Sequence, residues 1–190
     1  MPRTRTEAPK HKTKLVRNQS QRRGPILAII VHSTESSDIP DSQRDLDGVE
    51  SWFDNPISDA SSHIGVDGDA NTRVWVHSDR KAWTAGAANG WSLNIEFIAR
   101  AAQAKSAWES EQIKEGAKWA AYWGAKYNIP ATLGKVRNVN GLCVCTKRGV
   151  LRHSDITAAG FGSHSDPGRN FPMDDFLKAM RYYRRYGWVV

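Results

Sequence analysis

The chain has 190 residues and a formal net charge of +7, with 39% hydrophobic and 25% charged residues. This length suits one domain with a core of its own, and the composition excludes a disordered or fibrous chain. No apolar run is long enough to span a bilayer, so stable membrane insertion is not expected. The excess of Lys and Arg favours polyanionic partners such as nucleic acid, anionic lipid or acidic wall polymers, without choosing among them.

The first 24 residues are rich in Lys and Arg and lack apolar periodicity. We therefore expect a flexible basic arm over residues 1–24 and a single domain over residues 25–190. No apolar segment follows the basic start, so this start is not a secretory signal peptide and the chain is expected to be made in the cytoplasm. Cys143 and Cys145 are too close for an unstrained disulfide, and without a second pair they make a poor structural zinc site. We expect free thiols.

Four segments in the first half of the chain have the residue pattern of β-strands. They are 25–32, 62–66, 73–77 and 93–98. The first is a run rich in Ile and Val that predicts burial on both faces, and His32 stands at its end. The second and third flank a turn at 67–69 and predict a hairpin. Between the first two strands, a polar loop leads to a short helix with Val49, Trp52 and Phe53 on one face.

The second half of the chain predicts two helices and one more strand. Apolar residues recur every three or four positions over 109–127, the period of a helix packed on one side, and Pro130 ends the helix. A strand over 150–153 follows, then a glycine-rich loop and a last helix over 173–184. Strands mixed with helices indicate an α/β fold: a single domain with a central mixed β-sheet flanked by helices.

Three polar side chains could meet at an edge of this sheet. His32 and His153 each end a predicted strand, and Asp166 lies in the glycine-rich loop. A single histidine at a strand end is more often packed or hydrogen-bonded than a ligand. A catalytic zinc takes about three protein ligands and keeps one position open, and these residues can supply them if the loop folds over the edge of the sheet. Spacing alone does not decide between the two interpretations.

Six short segments occur in the order found in one enzyme family. They are IIVHSTE (29–35), SSHIGVDGD (61–69), KAWTAG (81–86), SLNIEF (92–97), VLRHSDI (150–156) and HSDPGRNFP (164–172). Through these segments the chain resembles the zinc N-acetylmuramoyl-L-alanine amidases of the amidase-2 type, which share a fold with peptidoglycan recognition proteins. Each segment is a weak signal by itself, whereas six in order are specific.

The resemblance implies a role for each residue of a zinc site at the sheet edge. His32, His153 and Asp166 match the Zn²⁺ ligands of the family. Glu96 matches the acidic residue that activates water in one branch of it. His164 stands where that branch often has Lys, and we expect it to stabilise the oxyanion of the intermediate. Unlike Lys, its charge depends on pH near neutrality.

Glu96 has a second interpretation, as a solvent-exposed or salt-bridged strand residue, because charged residues are mostly exposed. Alternation along a strand sets it opposite its apolar neighbours Ile95 and Phe97, so that it can face a cleft. Only a turn is expected to bring it to the face of Asn94. Ser62 stands where another branch of the family has a Tyr, so the sequence follows the Glu branch.

Four residues are weaker candidates for substrate binding. Trp83 and Thr84 are expected to line the cleft, where an aromatic face packs on sugar or peptide, with core packing as the alternative. Arg169 and Asn170 either contact the stem peptide or stay in water. Asp155 either orients the preceding histidine or caps the turn that follows.

The resemblance implies a hydrolase that cuts the amide bond between N-acetylmuramic acid and L-alanine in peptidoglycan. We expect a monomeric phage endolysin that reaches the wall through a pore made by another protein, with a bacterial autolysin or wall-recycling amidase as the alternative. A non-catalytic peptidoglycan-binding module would lack a ligand or the base, and this chain keeps all the candidates. The basic charge also admits a nucleic-acid-binding protein, but no such motif is present and nucleic acid is not expected as a partner.

Overall fold

The computed structural model describes residues 7–188 of the chain. Within these residues the chain forms ten strands and four α-helices. The strands are β1 (Lys12–Thr13), β2 (Gln19–Gln21), β3 (Ala28–Ser33), β4 (Ile64–Val66), β5 (Thr72–Val74), β6 (Arg80–Ala82), β7 (Ser92–Phe97), β8 (Lys135–Val139), β9 (Leu142–Lys147) and β10 (Gly149–Arg152). The helices are α1 (Arg44–Asp54), α2 (Ser110–Lys126), α3 (His153–Ala158) and α4 (Met173–Tyr186). None of the helices described is long and apolar enough to cross a membrane.

A six-stranded sheet forms the centre, in the order β1-β5-β4-β7-β3-β10. β3 pairs in parallel with β7 on one side and β10 on the other, and β4 continues the parallel part beyond β7. β5 runs antiparallel to β4, as the predicted hairpin requires. The sheet is therefore mixed, and the predicted α/β fold is confirmed. Outside it, β2 pairs with β6 and β8 with β9, and β9 carries Cys143 and Cys145 as free thiols.

Helices cover both faces of the sheet because side chains alternate along each strand. Ile29 and Val31 of β3 belong to the large core that includes α2 and α4. Ile30 packs instead with Leu151 of β10 and Ile156 of α3. This burial on both sides explains why β3 is apolar along most of its length. Polar side chains that share the face of Ile30 lie on the same side of the sheet as α3.

The end of β10 differs from the prediction. The strand ends at Arg152, and His153 begins α3 instead of ending a strand. The reason is a local cap, because the Arg152 backbone N–H donates to Asp155 Oδ2 at 2.7 Å. An acidic side chain in the first helical turn commonly makes such a bond. Of the two roles considered for Asp155, the structure shows capping.

The N-terminal segment is part of the fold, and the expectation of a flexible arm is wrong for residues 12–22. β1 pairs with β5, β2 pairs with β6, and Val16 between them is 2% exposed. The Arg22 guanidinium donates to four backbone carbonyls within residues 80–92. The basic composition did not indicate these strands, because backbone N–H and C=O groups make the strand pairings whatever the side chains are. Residues 1–6 of the predicted arm lie outside the described residues.

A buried ion pair joins this segment and α1 to the sheet. Arg73 of β5 donates to Glu50 of α1 at 2.6 Å and to Asp47 at 3.0 Å. Lys14, just after β1, reaches the second oxygen of Glu50 at 2.5 Å. Arg73 is 6% exposed and Glu50 4%, so each buried charge depends on the other for compensation.

Replacing Glu50 by Ala is expected to lower the free energy of unfolding by up to about 3–5 kcal/mol, because Arg73 would stay buried with only the exposed carboxylate of Asp47 as its partner. Urea denaturation followed by tryptophan fluorescence measures the change. Glu111→Ala is the matched control. It breaks an exposed pair with Lys114, and its unfolding midpoint should equal that of the unmodified chain. If both substitutions have the same small effect, the buried pair does not stabilise the fold.

Candidate metal centre

Three side chains converge where the parallel strands end. His32 Nδ1 lies 3.1 Å from both His153 Nδ1 and Asp166 Oδ2, and His153 Nδ1 lies 3.0 Å from Asp166 Oδ1. All three residues are buried, and one ligand atom of each lies within 4.8 Å of the others. Two imidazole nitrogens and a carboxylate are a ligand set that zinc accepts with a position left open. The predicted residues therefore come together in an arrangement that can hold a metal ion.

The sheet topology explains how residues so distant in sequence meet. β3 and β10 are adjacent and parallel, so His32 and His153 both lie where the carboxyl ends of these two strands meet. The loop with Asp166 is fastened to α3, because the Ser154 N–H donates to the Asp166 carbonyl at 3.0 Å. Gly168 completes the turn at φ +83°, and a Cβ there would lie 1.9 Å from a backbone oxygen. This position therefore requires glycine.

The ionisation states of the cluster suit a metal. Burial by itself raises the pKa of Asp166, but the two histidine rings beside its carboxylate, His153 and His32, outweigh burial and hold that pKa well below its usual value. Burial lowers the pKa of His153. Carboxylate and neutral imidazole are the forms in which these side chains bind metals. The donor atoms and their burial fit zinc.

Glu96 lies beside the cluster on the neighbouring strand. It is directly opposite His32 in the register of β3 and β7, and it is 6% exposed. Its Oε2 is buried without a hydrogen-bond partner, which is costly for a carboxylate. Burial and the negative charges of Asp166 and Glu35 raise the pKa of Glu96 well above its usual value. The interpretation of Glu96 as a solvent-exposed or salt-bridged residue is therefore wrong.

Asn94 shares the face of Glu96, contrary to the expectation from the sequence, because residues two apart on an unbroken strand point the same way. Its Oδ1 lies 3.0 Å from His32 Nε2, the ring nitrogen that does not face the cluster. His63 accepts the Asn94 backbone N–H on its Nδ1 at 3.1 Å. Neither Asn94 nor His63 was predicted from the sequence to have a role. The signal available for Asn94 was a polar side chain within an apolar strand, two positions before Glu96.

His164 lies at the mouth of the site. Its ring stacks on that of His153, with centroids 4.2 Å apart and 14° between the planes. Its Nδ1 is 3.7 Å from Asp166 Oδ1, and its side chain is 62% exposed. The His164 backbone N–H donates to Thr157 Oγ1 at 2.9 Å, which ties the loop to α3. The ring is thus placed to reach a molecule bound over the cluster.

An open cavity of about 670 Å³ adjoins the cluster. Ser154 and Ser165 line it, and they are the sequence neighbours of His153 and Asp166. Its charged lining residues are Glu35, Arg152 and Arg169. Of the four residues predicted to bind substrate, Arg169 is the one that lines this cavity.

The other three candidates make hydrogen bonds within the protein. Trp83 Nε1 donates to Ser20 Oγ at 3.0 Å, and Thr84 Oγ1 donates to the Ser61 carbonyl. Asn170 Nδ2 donates to a backbone carbonyl at 2.9 Å. All three residues are partly exposed, and their role in substrate binding stays a prediction.

The sequence matches one protein family over most of its length. Residues 22–169 match the family model described as N-acetylmuramoyl-L-alanine amidase, of the amidase-2 type. This range includes the whole cluster, Glu96 and His164. No curated protein is a significant match to the chain.

Solved structures with the same fold include several amidases. The hydrolase AmiA of Staphylococcus aureus, determined with its ligand, has 19% identity and a TM-score of 0.71 over 95% of this chain and 87% of that chain. The endolysin amidase LysCS from Clostridium intestinale has 15% identity and a TM-score of 0.62, over 93% and 98% of the two chains. AmpD has 15% identity and a TM-score of 0.63, over 93% and 97%. At these identities the likeness shows the fold, and the family match completes the assignment. The chain belongs to the N-acetylmuramoyl-L-alanine amidase family and is an amidase of peptidoglycan.

Proposed function

We propose that this amidase uses zinc, bound by His32, His153 and Asp166, to hydrolyse the amide bond between N-acetylmuramic acid and L-alanine. The observation that carries the proposal is the buried cluster of two histidines and a carboxylate, with the partnerless carboxylate oxygen of Glu96 beside it. When bound, zinc supplies Lewis acidity, which lowers the pKa of a coordinated water and polarises the scissile carbonyl. Proton transfer and substrate orientation are left to the side chains.

Glu96 acts first as the general base and then as the general acid. Its Oε2 has no partner in the protein, so it is free to accept the proton of the attacking water. Burial raises the pKa of Glu96, which makes its carboxylate a stronger base than an exposed one. The same proton can then pass to the alanine nitrogen as the amide bond breaks.

His164 stabilises the negative charge that develops on the carbonyl oxygen. Its exposed ring stacks on His153, so a ring N–H can point towards a carbonyl bound over the cluster. A donor placed where charge develops lowers the barrier more than it strengthens substrate binding. Lys, which one branch of the family often has at this position, would do the same with a permanent charge.

Replacing His164 by Ala is expected to lower kcat about 10²- to 10³-fold, the usual effect of losing one oxyanion donor. Zinc content should not change, because His164 is not among the proposed ligands. His164→Lys should recover most of the activity because it restores a donor. Steady-state hydrolysis of a soluble muropeptide gives kcat for the unmodified protein and for both variants. A fully active His164→Ala protein would remove His164 from the mechanism.

The substrate is expected to lie along the cavity beside the cluster. Arg169 is exposed there and can pair with a carboxylate of the stem peptide. Trp83, Thr84 and Asn170 are further candidates for contacts with the glycan or the peptide. The whole proposed site comes from one chain, so a monomer is sufficient for activity. The net charge of +7 favours approach to an acidic cell wall.

The biological setting that we favour is lysis of a bacterial host as a phage endolysin. The fold is shared with an endolysin, LysCS, but also with AmpD and with AmiA, so a bacterial wall enzyme is the second candidate. The charge of the chain supports action on whole wall rather than on free fragments. Rates on intact sacculi and on soluble muropeptides discriminate an enzyme that lyses the wall from a wall-recycling one. A strong preference for soluble muropeptides would favour the recycling role and contradict lysis.

Zinc dependence is tested with purified sacculi. Release of soluble fragments should stop when the protein is treated with a chelator and should return when zinc is added. The bound metal is measured on the same samples by atomic emission. Full activity of a protein shown to contain no metal would contradict the zinc proposal, while leaving the family assignment intact.

A further inference from the structure

A buried pair of residues, Asn94 and His63, lies behind the proposed ligand His32. Asn94 Oδ1 is 3.0 Å from His32 Nε2. On its other side, the Asn94 backbone N–H donates to His63 Nδ1 at 3.1 Å, and Asn94 Nδ2 is 3.4 Å from the same nitrogen. Asn94 and His63 are 0% exposed, and His32 is 1% exposed. Solvent therefore does not reach these contacts in the folded protein.

We propose that Asn94, oriented by His63, fixes the tautomer and ring orientation of His32 and is thereby a positioning residue for the metal. The inference rests on the proposed zinc function and extends it to residues outside the ligand set.

The orientation begins with His63. The Asn94 backbone N–H can only donate, so His63 Nδ1 must be an acceptor without a hydrogen. Burial and the positive charge of Arg22 lower the pKa of His63 to about 3, so the ring stays neutral. Its single hydrogen is then on Nε2, which lies 3.3 Å from the Arg80 carbonyl, and Arg22 Nη2 lies beside the same nitrogen at 3.1 Å. His63 thus offers Asn94 a fixed acceptor.

The amide of Asn94 is oriented by its two sets of neighbours. Its Nδ2 lies 3.4 Å from His63 Nδ1 and 3.4 Å from Ser92 Oγ, both of which can accept a hydrogen. This leaves Oδ1 facing His32 Nε2. A carbonyl oxygen only accepts, so His32 Nε2 must carry the hydrogen.

The consequence for His32 is a defined metal-binding nitrogen. With the hydrogen on Nε2, the neutral ring has its free lone pair on Nδ1, which is the nitrogen 3.1 Å from Asp166 Oδ2. A hydrogen-bond partner behind a ligating histidine keeps the ring in place and raises its basicity. Loss of such a partner typically lowers metal affinity about 10- to 100-fold.

Zinc affinity of the whole protein, measured by competition with a chromophoric chelator, tests the proposal. Asn94→Ala should raise the zinc Kd about 10- to 100-fold. Asn94→Asp keeps an acceptor for His32 Nε2, so its Kd should stay close to that of the unmodified protein. Asn18→Ala is the matched control, because Asn18 is 3% exposed and its amide donates to three oxygens within residues 55–60, none of which belongs to the cluster. It should bind zinc normally even if it is less stable.

An unchanged Kd in folded Asn94→Ala protein would overturn the proposal, as would equal losses in Asn94→Ala and Asn18→Ala. If Asn94→Ala does not fold, ¹⁵N NMR of the unmodified protein decides the matter. A neutral His63 with an unprotonated Nδ1 is expected, and a hydrogen on that Nδ1 would contradict the orientation. Zinc affinity is measured without substrate, so the two proposals can fail separately. A zinc affinity that depends on Asn94 in a protein that does not cleave peptidoglycan would contradict the proposed function alone.

Discussion

Replacing Glu96 by Gln is expected to lower kcat about 10²- to 10⁴-fold, because the amide cannot accept the proton of the attacking water. The side chain keeps its size, and Glu96 is not among the proposed ligands, so zinc content and KM should change little. Initial rates on a soluble muropeptide give kcat and KM, and atomic emission gives the metal content.

Glu115→Gln is the control for this substitution. Glu115 is also a buried glutamate, 7% exposed, but it lies on α2 and pairs with Lys118. Its replacement should leave kcat unchanged even if the protein becomes less stable. If Glu96→Gln retains full activity with zinc bound, another group is the base. If Glu96→Gln loses zinc, Glu96 belongs with the ligands and its assigned role is wrong.

Replacing Asp166 by Asn is expected to remove zinc and reduce the rate at least about 10³-fold, since the Lewis acid contributes several kcal/mol to the transition state. The neutral amide is a poor zinc ligand. Metal analysis after dialysis against a chelator, followed by rate measurement with and without added zinc, checks both parts of the prediction. A high zinc concentration should recover part of the activity if the other ligands still bind.

Asp155→Asn is the matched control for Asp166→Asn. Asp155 follows His153 by two residues, but its carboxylate caps α3 by accepting the Arg152 N–H. Asn keeps a side-chain oxygen that can accept the Arg152 N–H, so this variant should keep its zinc, its activity and most of its stability. Equal loss of zinc from both variants would show a general effect of charge near the site rather than removal of a ligand.

The sequence predicted the elements that are buried and strongly patterned. β3, β7 and α2 have continuous apolar character or helical period, and the structure has all three at nearly the predicted bounds. The strands β1, β2, β6, β8 and β9 were not predicted. Their residues are mostly exposed or half-buried, and backbone pairing rather than a buried face forms them. The basic composition of the N-terminal segment therefore predicted a flexible arm, although Val16 and Arg22 pack on the domain.

The metal cluster could be predicted from the sequence because the family segments contain its residues, and the structure brings His32, His153 and Asp166 together. The contact between Asn94 and His32 could not be predicted, since it depends on the register that places β7 against β3. A register is a property of two strands and cannot be seen in one of them. The shared face of Glu96 and Asn94, by contrast, follows from the two-residue period of β7 alone.

The most direct test of the account is digestion of a defined muropeptide in H₂¹⁸O, with mass analysis of the products. We predict a peptide with a free N-terminal L-alanine and no label, together with N-acetylmuramic acid that carries ¹⁸O in its lactyl carboxylate. Chelator should abolish both products. Labelled peptide fragments, or products in which alanine remains attached to the sugar, would show that the enzyme cuts a different bond.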